Sequence, residues 1–311
     1  MLDLFVLAKA TCVGALTAAA VMWLATRAGP RSWQRSAGWA WAIGVGVLAA
    51  SGATDQWPHW PPREDRARFL TLIVPLTLLV ETLAATAPSR GLAWALRLGL
   101  TAVITPILLH NSVYLADLNG RNSAEWSWPE TAAILCGLAA LVALVWTLIG
   151  ALAARTSTSG VQWVLFVDAL AATVTVTLSG YFGAGLLGLG LSGAIAGAAL
   201  ASHFAPPPSA TGDGLAMSVI GIFAVVLMGR FFGSLSTGPA AGLLLAPLVA
   251  WIIEMPRLRR LPPAWRSAGR IACVAVPLIL VVLGAQRKFA AASASHSSPF
   301  GPAEAHEPLE K

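Results

Sequence analysis

The chain reads as an all-α, polytopic integral membrane protein, a helical bundle of about ten transmembrane helices. Three observations lead there. Ten apolar stretches, most of them at or above the roughly 17 residues needed to cross a hydrocarbon core, occupy most of the 311 residues. Only 11% of residues are charged and 57% are hydrophobic, whereas about 25% are charged in ordinary soluble domains. The runs are too long and too uniformly apolar for barrel strands, so backbone groups deprived of water must be satisfied inside helices.

The first stretch, residues 4–26, follows an acidic start (Met1-Leu2-Asp3) and has no small-residue cleavage site, so it is expected to be a retained helix. Further spans are expected at 38–54, 69–87, 92–116, 130–154, 161–181, 182–204, 214–235, 239–254 and 270–285. The second, ninth and tenth are short, and nine or eleven crossings also fit. The bundle is expected over 1–289. From residue 290 the chain is rich in Ala, Ser and Pro with few large apolar residues, the composition of a disordered tail.

Basic residues in short loops favour the cytoplasmic side. One set of alternate loops carries Arg27, Arg31, Arg35, Arg90, Arg155, Arg257, Arg259, Arg260, Arg266 and Arg270, against Arg63, Arg66, Arg68, Arg121, Arg287 and Lys288 in the other. The bias places both termini outside the cytoplasmic membrane. Tryptophans at span ends, among them Trp23, Trp39, Trp57, Trp94, Trp128, Trp163 and Trp265, form an interfacial belt. The longer outer loop, Asp55 to Arg66, holds prolines, indoles and both signs of charge and is expected to be ordered as a cap.

Composition also excludes several functions. The net charge of +6 comes from scattered arginines placed as topology signals, which argues against nucleic-acid binding. Cys12, Cys136 and Cys273 are odd in number, lack metal-ligand spacing and read as buried apolar residues. Glu64-Asp65, flanked by Arg63 and Arg66, fits surface ion pairing better than a divalent metal site. The histidines are too dispersed to ligate haem. No catalytic, cofactor or metal motif stands out.

The candidate site rests on ionisable residues inside spans, which cost about 2.5–3.5 kcal/mol at mid-bilayer and therefore pair or line polar cavities. Glu81 near the end of span three and Arg97 near the start of span four face each other across a short loop and are expected to pair. Asp168 in span six is expected at the same depth and could join them. A second, outer layer comprises His110, Asn111 and Arg230, with Lys9 placed to snorkel.

Span seven carries small residues at four-residue spacing, Gly180, Ala184, Gly188, Ser192 and Ala196 on one ridge and Gly190, Ala194, Ala198 and Ser202 on another. Such ridges mark tight packing, and spans six and seven are expected to form the tightest hairpin. Pro75, Glu81 and Pro106 reappear as Pro247, Glu254 and Pro277 at offsets of 172, 173 and 171 residues. Spans three and four then repeat, parallel, as nine and ten, the alternative being chance in a leucine-rich, proline-bearing chain.

Gly190-Leu191-Ser192-Gly193 resembles the GxSG motif of the rhomboid intramembrane serine proteases, over four positions only. The resemblance implies Ser192 as nucleophile and a histidine base on another span. His203 instead lies eleven residues on in the same helix, and His296 and His306 lie in the tail. Structural glycines are the better reading.

The leading expectation is a transporter of a small or lipid-like solute, its partners being the bilayer and that solute. The chief rival is a non-enzymatic scaffold or assembly partner, and the third class is a lipid-processing enzyme acting from the outer loops.

Overall fold

In this computed structural model the described residues are 4–28, 37–58, 60–110, 112–115, 126–204, 214–258 and 262–296. They form ten helices: α1 Leu4–Ala28, α2 Ala37–Ala53, α3 Asp65–Thr86, α4 Arg90–Leu109, α5 Trp128–Arg155, α6 Thr158–Leu178, α7 Phe182–His203, α8 Ala216–Phe231, α9 Thr237–Glu254 and α10 Pro263–His296. Eight are long and apolar enough to cross a membrane, and the two shorter ones, α2 and α8, are apolar too. The chain is an all-α polytopic membrane bundle. Its perimeter exposes large aliphatic side chains such as Leu16, Leu144, Val276 and Leu280, a surface suited to acyl chains rather than water.

Consecutive helices run in opposite directions, so α1 begins and α10 ends on one side, called here the termini face. Local signals set the helix starts. Ser89 Oγ accepts from Leu92 N at 3.2 Å to cap α4, and Ser157 Oγ accepts from Gly160 N at 3.0 Å to cap α6. Ser127 and Glu130 form a capping box at α5, with Ser127 N donating to Glu130 Oε2 at 2.9 Å.

The core is built around α7 and α8. Every residue from Ala216 to Gly229 is buried, so α8 is sheathed by protein and needs no full bilayer-spanning length. Helix α7 is thin because of its glycines. A Cβ at Gly193 or Gly197 would collide with the backbone carbonyls of Thr11 and Ala15 in α1, and one at Gly14 would lie 2.7 Å from the Gly190 carbonyl. On its other side Gly185 and Gly188 face the hydroxyls of Thr177 and Thr173 in α6. The α6–α7 hairpin therefore forms, but the closest backbone approach among the described residues is between α7 and α1, which run parallel. Small residues let backbones meet, and the partner is chosen by the bundle rather than by sequence proximity.

Several sequence expectations are corrected. Helix α3 begins four residues early at Asp65, α4 ends at Leu109, and α10 extends from Pro263 to His296, beyond both expected ends and past residue 289. Cys12 and Cys136 are exposed on the bundle perimeter and Cys273 is half-buried, so none is a core residue. Trp39 is buried against Gly214 rather than interfacial.

Two spans are irregular at their prolines. Residues Phe69–Ile73 of α3 form a π-helical turn just before Pro75, and Ala246–Glu254 of α9 form a 3-10 helix that starts one residue before Pro247. Proline lacks the N–H that would continue the ladder, so its neighbours rewind to other hydrogen-bond partners.

Candidate intramembrane polar site

Two helix connections and two rewound spans bring the ionisable residues into place. Where α3 turns into α4 over residues 87–89, Glu81 and Arg97 meet: Arg97 Nε donates to Oε1 at 2.8 Å and Nη2 to Oε2 at 3.0 Å. Both side chains are buried. The bidentate geometry satisfies both carboxylate oxygens, which makes burial of the charges tolerable. The guanidinium lies over the indoles of Trp94 and Trp146, at 5.7 and 5.8 Å from the ring centroids, so part of its positive charge faces π-electrons.

A second buried pair sits where α9 turns into α10. Arg270 Nε and Nη2 donate to Glu254 Oε1 at 3.0 and 2.7 Å. Glu81 and Arg97 are 16 residues apart, as are Glu254 and Arg270. From Glu81 to Glu254, and from Arg97 to Arg270, is 173 residues. At that same register the buried positions Ala67, Leu70, Ile73, Val74, Thr77 and Val80 fall on the buried Ala240, Leu243, Ala246, Pro247, Ala250 and Ile253. Thr101 and Thr105 in α4 likewise fall on Val274 and Leu278 in α10, all buried. The buried face of α9 thus falls within that of α3, while the α3–α4 hairpin buries more: Phe69, Leu78, Leu100 and Ile104 fall on the half-buried Gly242, Trp251, Cys273 and Pro277. The prolines sit one or two positions away from this register.

Asp168 does not join either pair. It lies ten residues into α6, about 15 Å from that helix's start at 1.5 Å per residue, whereas Glu81 is only five residues from the end of α3. Its carboxyl is therefore near the middle of the bundle, 1% exposed, and Oδ1 has no hydrogen-bond partner among the described residues. It borders a cavity of about 20 Å³ lined by Leu141, Val142, Val145, Leu165, Val219, Ile222, Phe223, Leu244 and Pro247. Such a space holds the centre of one water molecule. Pro247 places the rewound start of the 3-10 segment directly in its wall. An ionised carboxylate without water or cation would be very costly there, so the neutral acid is the form these walls accept.

Nearly two turns toward the start of α6, Gln162 is buried with Nε2 donating to the Gly214 carbonyl at 3.1 Å, while Ser218 Oγ donates to Gln162 Oε1 at 2.7 Å. This uncharged cluster joins α6 to α8 and was not foreseen from the sequence.

On the termini face, Arg68 is buried inside α3 rather than in a loop. Its Nη1 donates to the Leu108 carbonyl at 2.7 Å and Nη2 to the Arg63 carbonyl at 2.6 Å, closing the carbonyl end of α4. Asp65 Oδ1 accepts from the Tyr181 hydroxyl at 2.6 Å. Burial, together with Asp65, pushes the Tyr181 phenol above its ordinary value. Glu64 pairs with Arg66 at 2.8 Å, as expected, but Asp65 turns inward.

The outer layer does not assemble as one site. His110 is exposed at the end of α4. Arg230 Nε donates to Thr237 Oγ1 at 3.1 Å across the α8–α9 turn. Asn111 lies outside the described residues, and Lys9 is exposed on the perimeter. Ser192 is buried and bonds the Leu189 carbonyl at 2.9 Å, while His203 accepts a 3.4 Å contact from Trp163 Nε1. Among the described residues no three His, Cys, Asp or Glu side chains converge to hold a metal.

No protein-family model matches this chain, and no curated protein or solved structure matches it.

Proposed function

We propose that this chain is a multi-pass transporter for a small or amphipathic solute, with Asp168 as the protonatable group that couples solute movement to a proton. The observation that carries the reading is a carboxyl at mid-bundle, bordering a water-sized cavity whose wall includes a broken span. Intramembrane carboxyls of this kind serve as proton relays, and interrupted helices beside a midplane site are the usual architecture of secondary transporters. The matched α3–α4 and α9–α10 hairpins support it, since parallel internal repeats occur in transporters built from paired halves. Both Glu–Arg pairs lie on the side opposite the termini, where they hold the two hairpins shut. The arginine bias favours that side as the cytoplasmic one, with both termini outside.

The test is charge movement across proteoliposomes on a solid support, challenged with organic anions, organic cations and amphiphiles. At least one solute class is expected to give a current that Asp168→Asn abolishes and Lys9→Ala retains. A current unchanged in Asp168→Asn, or silence to every class, would overturn the reading.

A second reading, an assembly partner, is favoured by one feature. Helix α5 exposes Ala132, Ala133, Cys136, Gly137 and Ala140 on the perimeter, a small-residue surface suited to another membrane helix. Self-association or capture of a membrane partner that Gly137→Leu abolishes, with no solute current, would favour it.

A further inference from the structure

We infer that a groove on the termini face, between α10 and the α6–α7 and α8–α9 turns, binds a phosphate-headed lipid. The groove encloses about 650 Å³, enough for an acyl chain, and its walls are largely apolar, with Leu178, Leu235, Leu280, Val281 and Phe289 among them. None of the described lining residues is acidic. Its polar end is cationic. Inside the groove Lys288 Nζ donates to Ser236 Oγ at 3.2 Å; on the next residue, outside the groove's lining, Thr237 Oγ1 accepts from Arg230 Nε at 3.1 Å.

Depth fixes the polarity of the ligand. Lys288 is 18 residues beyond Arg270 in α10, about 27 Å along the axis, close to the roughly 30 Å hydrocarbon thickness. With Arg270 held near the opposite boundary by Glu254, Lys288 lies at headgroup level while Leu280 and Val281 lie below it. An amphiphile with its anion at Lys288 and its chain along Leu280 matches this sequence of surfaces. A phosphate-bearing lipid supplies both parts, and a free phosphate leaves the apolar walls uncovered.

Gly238 and Gly284 also line the groove, and a Cβ at either meets no atom within 4 Å. A larger side chain can therefore occupy the groove without disturbing the fold. This inference does not rest on the role of Asp168.

The test is native mass spectrometry of the full chain, purified in detergent and exposed to phosphatidylglycerol, phosphatidylcholine with matched chains, or glycerol phosphate. Phosphatidylglycerol is expected to be retained in preference to both others. Retention should fall about fivefold in Lys288→Gln, and also fall in Gly284→Leu, but not in Gly137→Leu on the far perimeter. Equal retention across these variants, equal retention of phosphatidylcholine, or binding of glycerol phosphate alone would overturn the proposal. So would binding that appears only after residues 297–311 are removed, which would make the tail the natural occupant.

Discussion

Arg270 holds a single oxygen of Glu254 with two nitrogens, at 3.0 and 2.7 Å, and does so in the register that carries Arg97 onto Glu81 in the other hairpin. The two bonds differ in detail, one bidentate across both oxygens and one forked onto Oε1. They share burial, spacing and position near the same side of the bundle. A buried pair stabilises little against a hydrophobic substitute, but losing one partner strands a charge, at a cost of about 3–5 kcal/mol. Single variants Glu81→Ala, Arg97→Ala, Glu254→Ala and Arg270→Ala are expected to lose about that much in thermal unfolding in detergent. The swap Glu81→Arg with Arg97→Glu is expected to recover part of the loss. No recovery, with both single variants stable, would dissolve the pairing argument.

Glycine positions separate packing from chance. Gly193→Leu and Gly197→Leu drive a side chain into the α1 backbone, which cannot retreat as a flexible side chain can. These variants are expected to fail to accumulate as folded protein, measured by gel filtration in detergent. Gly137→Leu and Gly99→Leu, with nothing within 4 Å of the added carbon, are expected to stay within about 0.5 kcal/mol of the parent. Equal tolerance at all four sites would contradict the α1–α7 contact.

The Asp65–Tyr181 bond ties the start of α3 to the start of α7. Tyr181→Phe leaves a buried carboxylate oxygen without its donor and is expected to cost about 1–3 kcal/mol. Because the folded phenol titrates above its ordinary value of about 10, its contribution is complete below that pH and is lost as pH rises through the folded value. Stability measured against pH should therefore drop at strongly alkaline pH in the parent, and this part of the drop should vanish in Tyr181→Phe. An identical alkaline profile in both would refute the linkage.

Much of the architecture was legible because bilayer thickness and backbone satisfaction leave few choices. All ten helices coincide with apolar runs, and the fold follows. The Glu81–Arg97 pair was legible for a related reason: a turn of a few residues forces α3 and α4 side by side, so depth alone predicts contact. The same logic applies to Glu254 and Arg270, but Arg270 reads as a loop arginine when α10 is started too late. Asp168 was placed too shallow because α6 begins three residues before its apolar run. Polar clusters such as Gln162 with Ser218 carry no charge to raise a signal and join residues far apart in sequence. The glycine ridges of α7 announced close packing, yet nothing local indicates that α1 is the partner. The repeat was visible through its prolines only approximately, since kinks can drift by a residue while buried faces keep register.

Infrared spectroscopy of the purified protein in lipid tests the central claim, that Asp168 is a neutral acid within the bundle, most directly. At neutral pH the parent should show the carbonyl stretch of a protonated carboxylic acid, and Asp168→Asn should lose that band. Absence of any such difference, or a difference confined to the carboxylate bands, would show Asp168 ionised and contradict the account.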